Sequence, residues 1–172
     1  MSKKEALLKA AENKVRLGGY SNFSFRGLAS EVGIKSASVH YHFPTKADLG
    51  AELAHQYTDS FLAALGEPSE LKANGKNPID VYTQLFRRAL VTDKKMCLCG
   101  LLGAESDSLP DKVRLEVKRF FNQNLTWLSA AHLANGEPNP AQAAIQTVSL
   151  LEGAMMISKT LDDNSYFELA TQ

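Results

Sequence analysis

A chain of 172 residues with 44% hydrophobic side chains is long enough for one large domain, or a small one joined to a larger, and too apolar for disorder. Nineteen basic residues balance nineteen acidic ones, so net charge alone points to no partner. No apolar run approaches the roughly 18 residues of a membrane span, and the start "MSKKEALLKAAENKV" lacks the apolar stretch of a secretory signal. The expectation is a soluble, cytoplasmic protein with no membrane partner. Two cysteines, Cys97 and Cys99, are too few and too close for a disulfide framework, and the sequons at Asn22 and Asn124 then read as chance matches.

The pattern along the chain is helical almost throughout, with little period-two alternation and no hairpin signal between apolar runs. The first helix runs from about Lys3 to Leu17 on a stripe of Leu7, Ala10, Ala11 and Val15, and Gly18 and Gly19 stop it. Ser24 caps a second, Phe25 to Val32, which Gly33 ends in a left-handed turn. A third spans Ser36 to Phe43 before Pro44, and Thr45 caps a fourth, roughly Lys46 to Leu65, with Asp48 in its first turn. "GEPSELKANGKN" reads as a loop. Asn77 and Pro78 open a fifth helix through about Thr92, and "CLCGLLGAES" is a short sixth. Ser108 and Pro110 start a long seventh, an eighth covers about Ala141 to Leu161, and "SYFELA" is a terminal turn.

Charge is uneven along this series. The first 46 residues hold eight basic side chains against three acidic, and the remainder holds eleven against sixteen. A basic end on an acidic body is the arrangement of a protein that meets a polyanion at one end.

The stretch "FRGLASEVGIKSASVHYHFPTKADL" identifies that end. Helix, short glycine-containing turn, helix is a helix-turn-helix, with Leu28, Ala29, Val32, Ile34 and Val39 as its internal contacts. The second helix of the motif is the one that enters a major groove, and its outer residues here are short and polar: Ser36, Ser38 and His40. Tyr41, His42 and Lys46 are then positioned for phosphates.

From about Leu7 to Leu53, ending in "YHF-x-x-K", the sequence resembles the N-terminal domain of the TetR family of bacterial transcriptional regulators. The resemblance implies an all-α protein: a three-helix helix-turn-helix domain over residues 1–48, then a helical effector-binding and dimerisation domain over 49–172. It implies a homodimer on a palindromic double-stranded DNA operator, released by a small-molecule or electrophile effector, hence a repressor without catalytic residue, metal or cofactor. Carried onto this chain, Ser24 is the phosphate-contacting cap, Ser36, Ala37, Ser38 and His40 are the reading face, and Tyr41, His42 and Lys46 clamp phosphates, with Arg26 and Lys35 completing the DNA-contacting set. Members often have Ser or Thr where Lys35 stands and Gly or Pro where Ala37 stands, and Lys14 takes a position that is usually apolar.

"MCLCGLLGAESDSLP" resembles a subgroup of the same family in which cysteines respond to electrophiles, which makes Cys97 or Cys99 a candidate sensor; the alternative is two buried small hydrophobes. Phe61, Phe86, Met96, Cys97, Cys99, Phe120, Phe121, Trp127 and Met155 are the candidate effector pocket. The seventh and eighth helices are assigned to the dimer interface, on the small and large apolar residues interleaved from Ala143 to Met156, with Ala154 as the test position. A small thiol-dependent enzyme is the second functional class; no Gly-rich phosphate loop and no hydrolase or zinc-protease motif supports it.

Overall fold

The computed structural model describes residues 2–172, and among them there are helices and no strand. The α-helices in chain order are α1 (Lys3–Gly18), α2 (Phe25–Val32), α3 (Ser36–His42), α4 (Lys46–Leu65), α5 (Pro68–Ala73), α6 (Pro78–Arg87), α7 (Leu98–Ala104), α8 (Asp111–Ala134), α9 (Pro140–Leu161) and α10 (Ser165–Ala170). They fall into two compact units. One takes the chain through Thr58 together with Leu98–Phe120; the other takes Asp59–Cys97 and Phe121–Gln172.

In the first unit, α1 starts on a reciprocal cap. The Glu5 amide donates to Ser2 Oγ at 3.2 Å, and the Ser2 amide donates to Glu5 Oε2 at 2.7 Å. Leu7, Ala11 and Val15 are buried as the spacing predicts. Lys14 is accommodated by pairing with Glu31 of α2 at 3.3 Å. Gly19 is required twice over: its φ is +78°, and an added Cβ would lie 1.8 Å from Glu105 Oε1, the carboxylate that accepts the Tyr20 amide at 3.2 Å. That carboxylate ties the end of α7 to the turn Tyr20–Asn22. The cap of α4 is likewise reciprocal, with the Asp48 amide donating to Thr45 Oγ1 at 3.1 Å and the Thr45 amide to Asp48 Oδ2 at 3.0 Å. Lys112 Nζ of α8 lies 2.6 Å from Asp48 Oδ1, and these bonds hold the Asp48 carboxyl below the usual carboxylate range.

In the second unit, Asn77 Oδ1 accepts the Ile79 amide at 3.1 Å and Pro78 takes the first helical position of α6. Tyr82 and Phe86 stack at 5.5 Å, Tyr82 and Trp127 at 5.6 Å, and Phe61 meets both Tyr82 and Phe86 edge-on. The buried Tyr82 hydroxyl donates to Asn124 Oδ1 at 2.8 Å, so neither polar group is orphaned in the core. Asn124 is fully buried, which leaves its sequon no surface to carry a glycan. Phe167 of α10 is buried, and Arg87 of α6 pairs with Glu168 at 2.7 Å.

Three sequence expectations change. The segment read as a loop contains α5: Pro68 at the first helical position sets φ for a turn that needs no side-chain cap. The fifth predicted helix leaves α-geometry at Arg88, where a π-type turn runs to Thr92 and is followed by Lys94 at φ +55°. Ala154 is only 4% exposed within a single chain, so it faces its own interior rather than a partner. The face of α9 left open carries Ile145, Leu150, Met156, Ile157 and Leu161, with Gly153 in its midst and nothing within 4 Å of where its Cβ would stand.

Candidate functional site

The helix-turn-helix is assembled by local bonds. Ser24 Oγ accepts the Gly27 amide at 3.1 Å and caps α2. Gly33, at φ +70° and ψ +41°, closes it, and the Ile34 amide donates back to Ala29 at 2.9 Å. Leu28, Ala29 and Val39 are buried between the helices, while Val32 and Ile34 are half-buried at the rim. The cap position of α3 is Lys35, whose side chain makes no capping bond. The Ser38 amide donates to the Lys35 carbonyl at 2.9 Å instead, and Ser36 and Ala37 beside it are exposed.

Each residue expected from the sequence to contact DNA can be placed. Ser24, Arg26, Lys35, Ser36, Ala37, His40 and Tyr41 are exposed, and Ser38 and His42 are half-buried. Tyr41 is 85% exposed, an aromatic ring held in solvent, with His42 edge-on to it at 5.3 Å. His40 packs edge-to-face on Phe25 at 4.9 Å, and its Nδ1 lies 3.3 Å from the Pro44 carbonyl. A carbonyl can only accept, so this contact puts the proton on Nδ1 and leaves Nε2 for an outside partner. Lys46 is more confined than its position in the sequence implies. Its ammonium sits 4.6 Å from the Tyr20 ring centroid and 4.4 Å from that of Phe23, and burial lowers its pKa, with Glu105 opposing.

The candidate pocket residues divide between the two units. Phe61, Phe86 and Trp127 come together around Tyr82 in the second unit, and there the Cys97 amide donates to Met155 Sδ at 3.1 Å. Met96 is buried and Phe121 half-buried in the same unit. Cys99 and Phe120 belong to the first unit, where Phe120 packs on Tyr57 at 5.9 Å. Cys97 and Cys99 form no disulfide and are 2% and 0% exposed. A cavity of about 510 Å³ opens beside Trp127, lined by Leu62, Gly66, Pro68, Gln123 and Thr126 among others.

Sequence reasoning missed three polar members of this interior: Tyr82, Asn124 and Glu152. Glu152 is half-buried with its Oε1 out of solvent, and burial raises its carboxyl to about 7, with a hydrogen bond from Cys97 opposing. The Tyr82 hydroxyl is pushed well up by burial and by the nearby Cys97 and Glu152. Glu152 did leave a signal: it is the one charged residue between Glu137 and Lys159.

An all-helical chain with an exposed, capped helix-turn-helix defines a DNA-binding regulatory protein. The comparisons agree. Residues 4–53 match the model of the family described as "Bacterial regulatory proteins, tetR family". A TetR transcriptional regulator from Legionella pneumophila is 29% identical, with a TM-score of 0.88 over 99% of this chain and 94% of that one. A TetR-family regulator from Agrobacterium tumefaciens is 28% identical, with a TM-score of 0.86 over 98% and 93%. Reduced NemR from E. coli, at 22% identity, shares the fold with a TM-score of 0.81 over 98% and 93%. No curated protein matches the sequence. Residues 4–53 thus carry the DNA-binding domain of the TetR family, and the chain is similar along nearly its whole length to TetR-family transcriptional regulators of known structure.

Proposed function

We propose that this regulator is a homodimeric repressor that binds a palindromic operator and is released by a small-molecule effector. The observation that carries the reading is the outward face of α3, where the short side chains of Ser36 and Ala37 and the His40 imidazole stand exposed next to Tyr41. Short side chains let a helix backbone approach base edges, and Ser24, Tyr41, His42 and Lys46 supply phosphate contacts around them, with Arg26 and Lys35 at the margins. The functional division is residues 1–48 for DNA and 49–172 for effector and dimer. The start of α8 packs in the first unit but carries none of the DNA-contacting set.

Two-fold symmetry comes from the open apolar face of α9, continued by exposed Leu133, Tyr166 and Leu169. The effector acts by non-covalent binding among Phe61, Phe86, Met96, Cys97, Phe121, Trp127 and Met155. A reactive thiol needs access, and both cysteines are buried, which weighs against an electrophile sensor and against a thiol enzyme alike.

The test is selection of bound duplexes from a randomised pool by the full-length protein. The expected product is an inverted repeat whose half-sites are separated by about one helical turn or a multiple of it, roughly 34–36 Å. Enrichment of no sequence, or of one without two-fold symmetry, would refute the proposal.

A further inference from the structure

Ser36, Ala37 and His40 stand three and four residues apart on α3, so they share one face of the helix, and all three are exposed. Ser36 and Ala37 are short, which leaves the His40 imidazole as the side chain that projects from this face. The ring does not turn freely. Phe25 of α2 meets it edge-to-face with centroids 4.9 Å apart, and the Pro44 carbonyl lies 3.3 Å from its Nδ1. One contact comes from the helix before α3 and the other from the chain after it, so the imidazole is oriented before any ligand arrives.

The Pro44 contact also decides what the free nitrogen can do. A carbonyl oxygen has no hydrogen to give, so the single proton of the neutral imidazole resides on Nδ1. Nε2 is then an acceptor only. A serine hydroxyl rotates to donate or accept, so Ser36 imposes no such choice on a partner. A phosphate oxygen has no hydrogen to offer, and Nε2 gains nothing from the DNA backbone. The major groove is selective toward such a group. Guanine N7 and O6, adenine N7 and thymine O4 are all acceptors, and only the adenine N6 and cytosine N4 amines donate.

We propose that His40 is a specificity-determining residue that reads an exocyclic amine, adenine N6 or cytosine N4, through an accepting Nε2. The inference rests on the reading of α3 as the helix that enters the major groove, and it names the chemical group one of its side chains selects. A base that presents N7, O6 or O4 at the same point sets acceptor against acceptor and is rejected.

The experiment begins with the full-length wild type, His40→Ala and His40→Phe, each selecting duplexes from a randomised pool at pH 8, where an imidazole is ordinarily neutral. His40→Phe keeps a ring against Phe25 and lacks both nitrogens, so it separates lost reading from lost packing. Wild type is expected to require adenine or cytosine at one position of the half-site where both variants accept any base. The amine is then deleted at that position, with purine in place of adenine or pyrimidin-2-one in place of cytosine, which also tells the two sources apart. Wild-type affinity should fall about tenfold, and that of either variant by no more than about twofold. Replacing N7 by carbon in the purine of the same pair, with 7-deazaadenine or 7-deazaguanine, should leave wild type unchanged.

Variants that select the wild-type operator, or a 7-deaza substitution that weakens wild type but not the variants, would each overturn the proposal. The wild-type measurements decide even without the variants: a selected operator in which every amine deletion is tolerated also overturns it. A pool from which wild type enriches nothing refutes the DNA-binding reading and takes this inference with it. An enriched operator without an amine-dependent position leaves that reading standing and removes only the role of His40.

Discussion

The helix-turn-helix and the interior around Tyr82 place their polar groups in opposite ways. In the first, hydroxyls, imidazoles and a phenol stand exposed or half-exposed, each near the backbone that positions it, while the buried residues Leu28, Ala29, Val39 and Phe43 are apolar. In the second, the Tyr82 phenol and the Asn124 amide are buried and satisfied by each other, and one oxygen of the Glu152 carboxyl is out of solvent without a partner. The contrast teaches where specificity can be stored. A surface that meets a hydrated polyanion keeps its polar groups wet until contact, when phosphates and base edges replace water. A buried site pays its desolvation at folding, so a matched ligand recovers what the folded chain gave up.

The largest effect that would sharpen this comparison is on α9. Leu150→Glu or Ile157→Glu adds a charge to the open apolar face, and the expected outcome is a folded monomer by light scattering with operator affinity reduced 100-fold or more. Ala154→Glu puts the same charge inside the chain, where it should unfold the second unit instead, by about 3–5 kcal/mol. If both variants behave alike in circular dichroism and light scattering, the division of α9 into an inner and an outer face is wrong.

Glu152 comes next. Its folded-state pKa of about 7 lies above the ordinary glutamate value of 4.5, so its ionisation opposes folding. Below pH 4.5 the group is neutral in both states and there is no penalty; the penalty grows between pH 4.5 and 7 and is complete above. Glu152→Gln should therefore stabilise the protein by about 2–3 kcal/mol at pH 8 and by little at pH 4.5, read from urea denaturation at the two pH values. Equal effects at both would place the carboxyl in water and break the contrast drawn above.

Within the helix-turn-helix the effects are smaller because its bonds are local. Ser24→Ala removes the α2 cap and should cost about 1 kcal/mol. Gly33→Ala meets no neighbour within 4 Å, so its cost, about 1 kcal/mol, is backbone strain at φ +70° alone. Thermal melts of the two variants check both figures. Smallest in stability is Lys46→Ala, which should leave the fold nearly unchanged yet weaken binding to specific and nonspecific duplexes alike and lower the salt slope by about one. An unchanged salt slope would mean that the ammonium stays on the Tyr20 and Phe23 rings in the complex.

The amino-acid sequence alone determined the helical class, the caps at Ser24, Thr45 and Asn77, the left-handed turn at Gly33 and the helix-turn-helix motif. All of these depend on residues within a few positions of one another, where side-chain chemistry and backbone geometry act directly. The helix α5 escaped because six residues with no side-chain cap carry too little periodic signal to stand out from a loop. What only the tertiary structure decided is which face of α9 is inside, which unit holds each cysteine, and that Glu152 shares an interior with Tyr82. Small and large apolar residues line both sides of α9, so its pattern does not say which side is covered by the same chain. Glu152 stands 70 residues from Tyr82 and 55 from Cys97 in sequence. A carboxyl group's environment is set by what packs against it and not by its neighbours along the chain, and that packing exists only once the helices have come together.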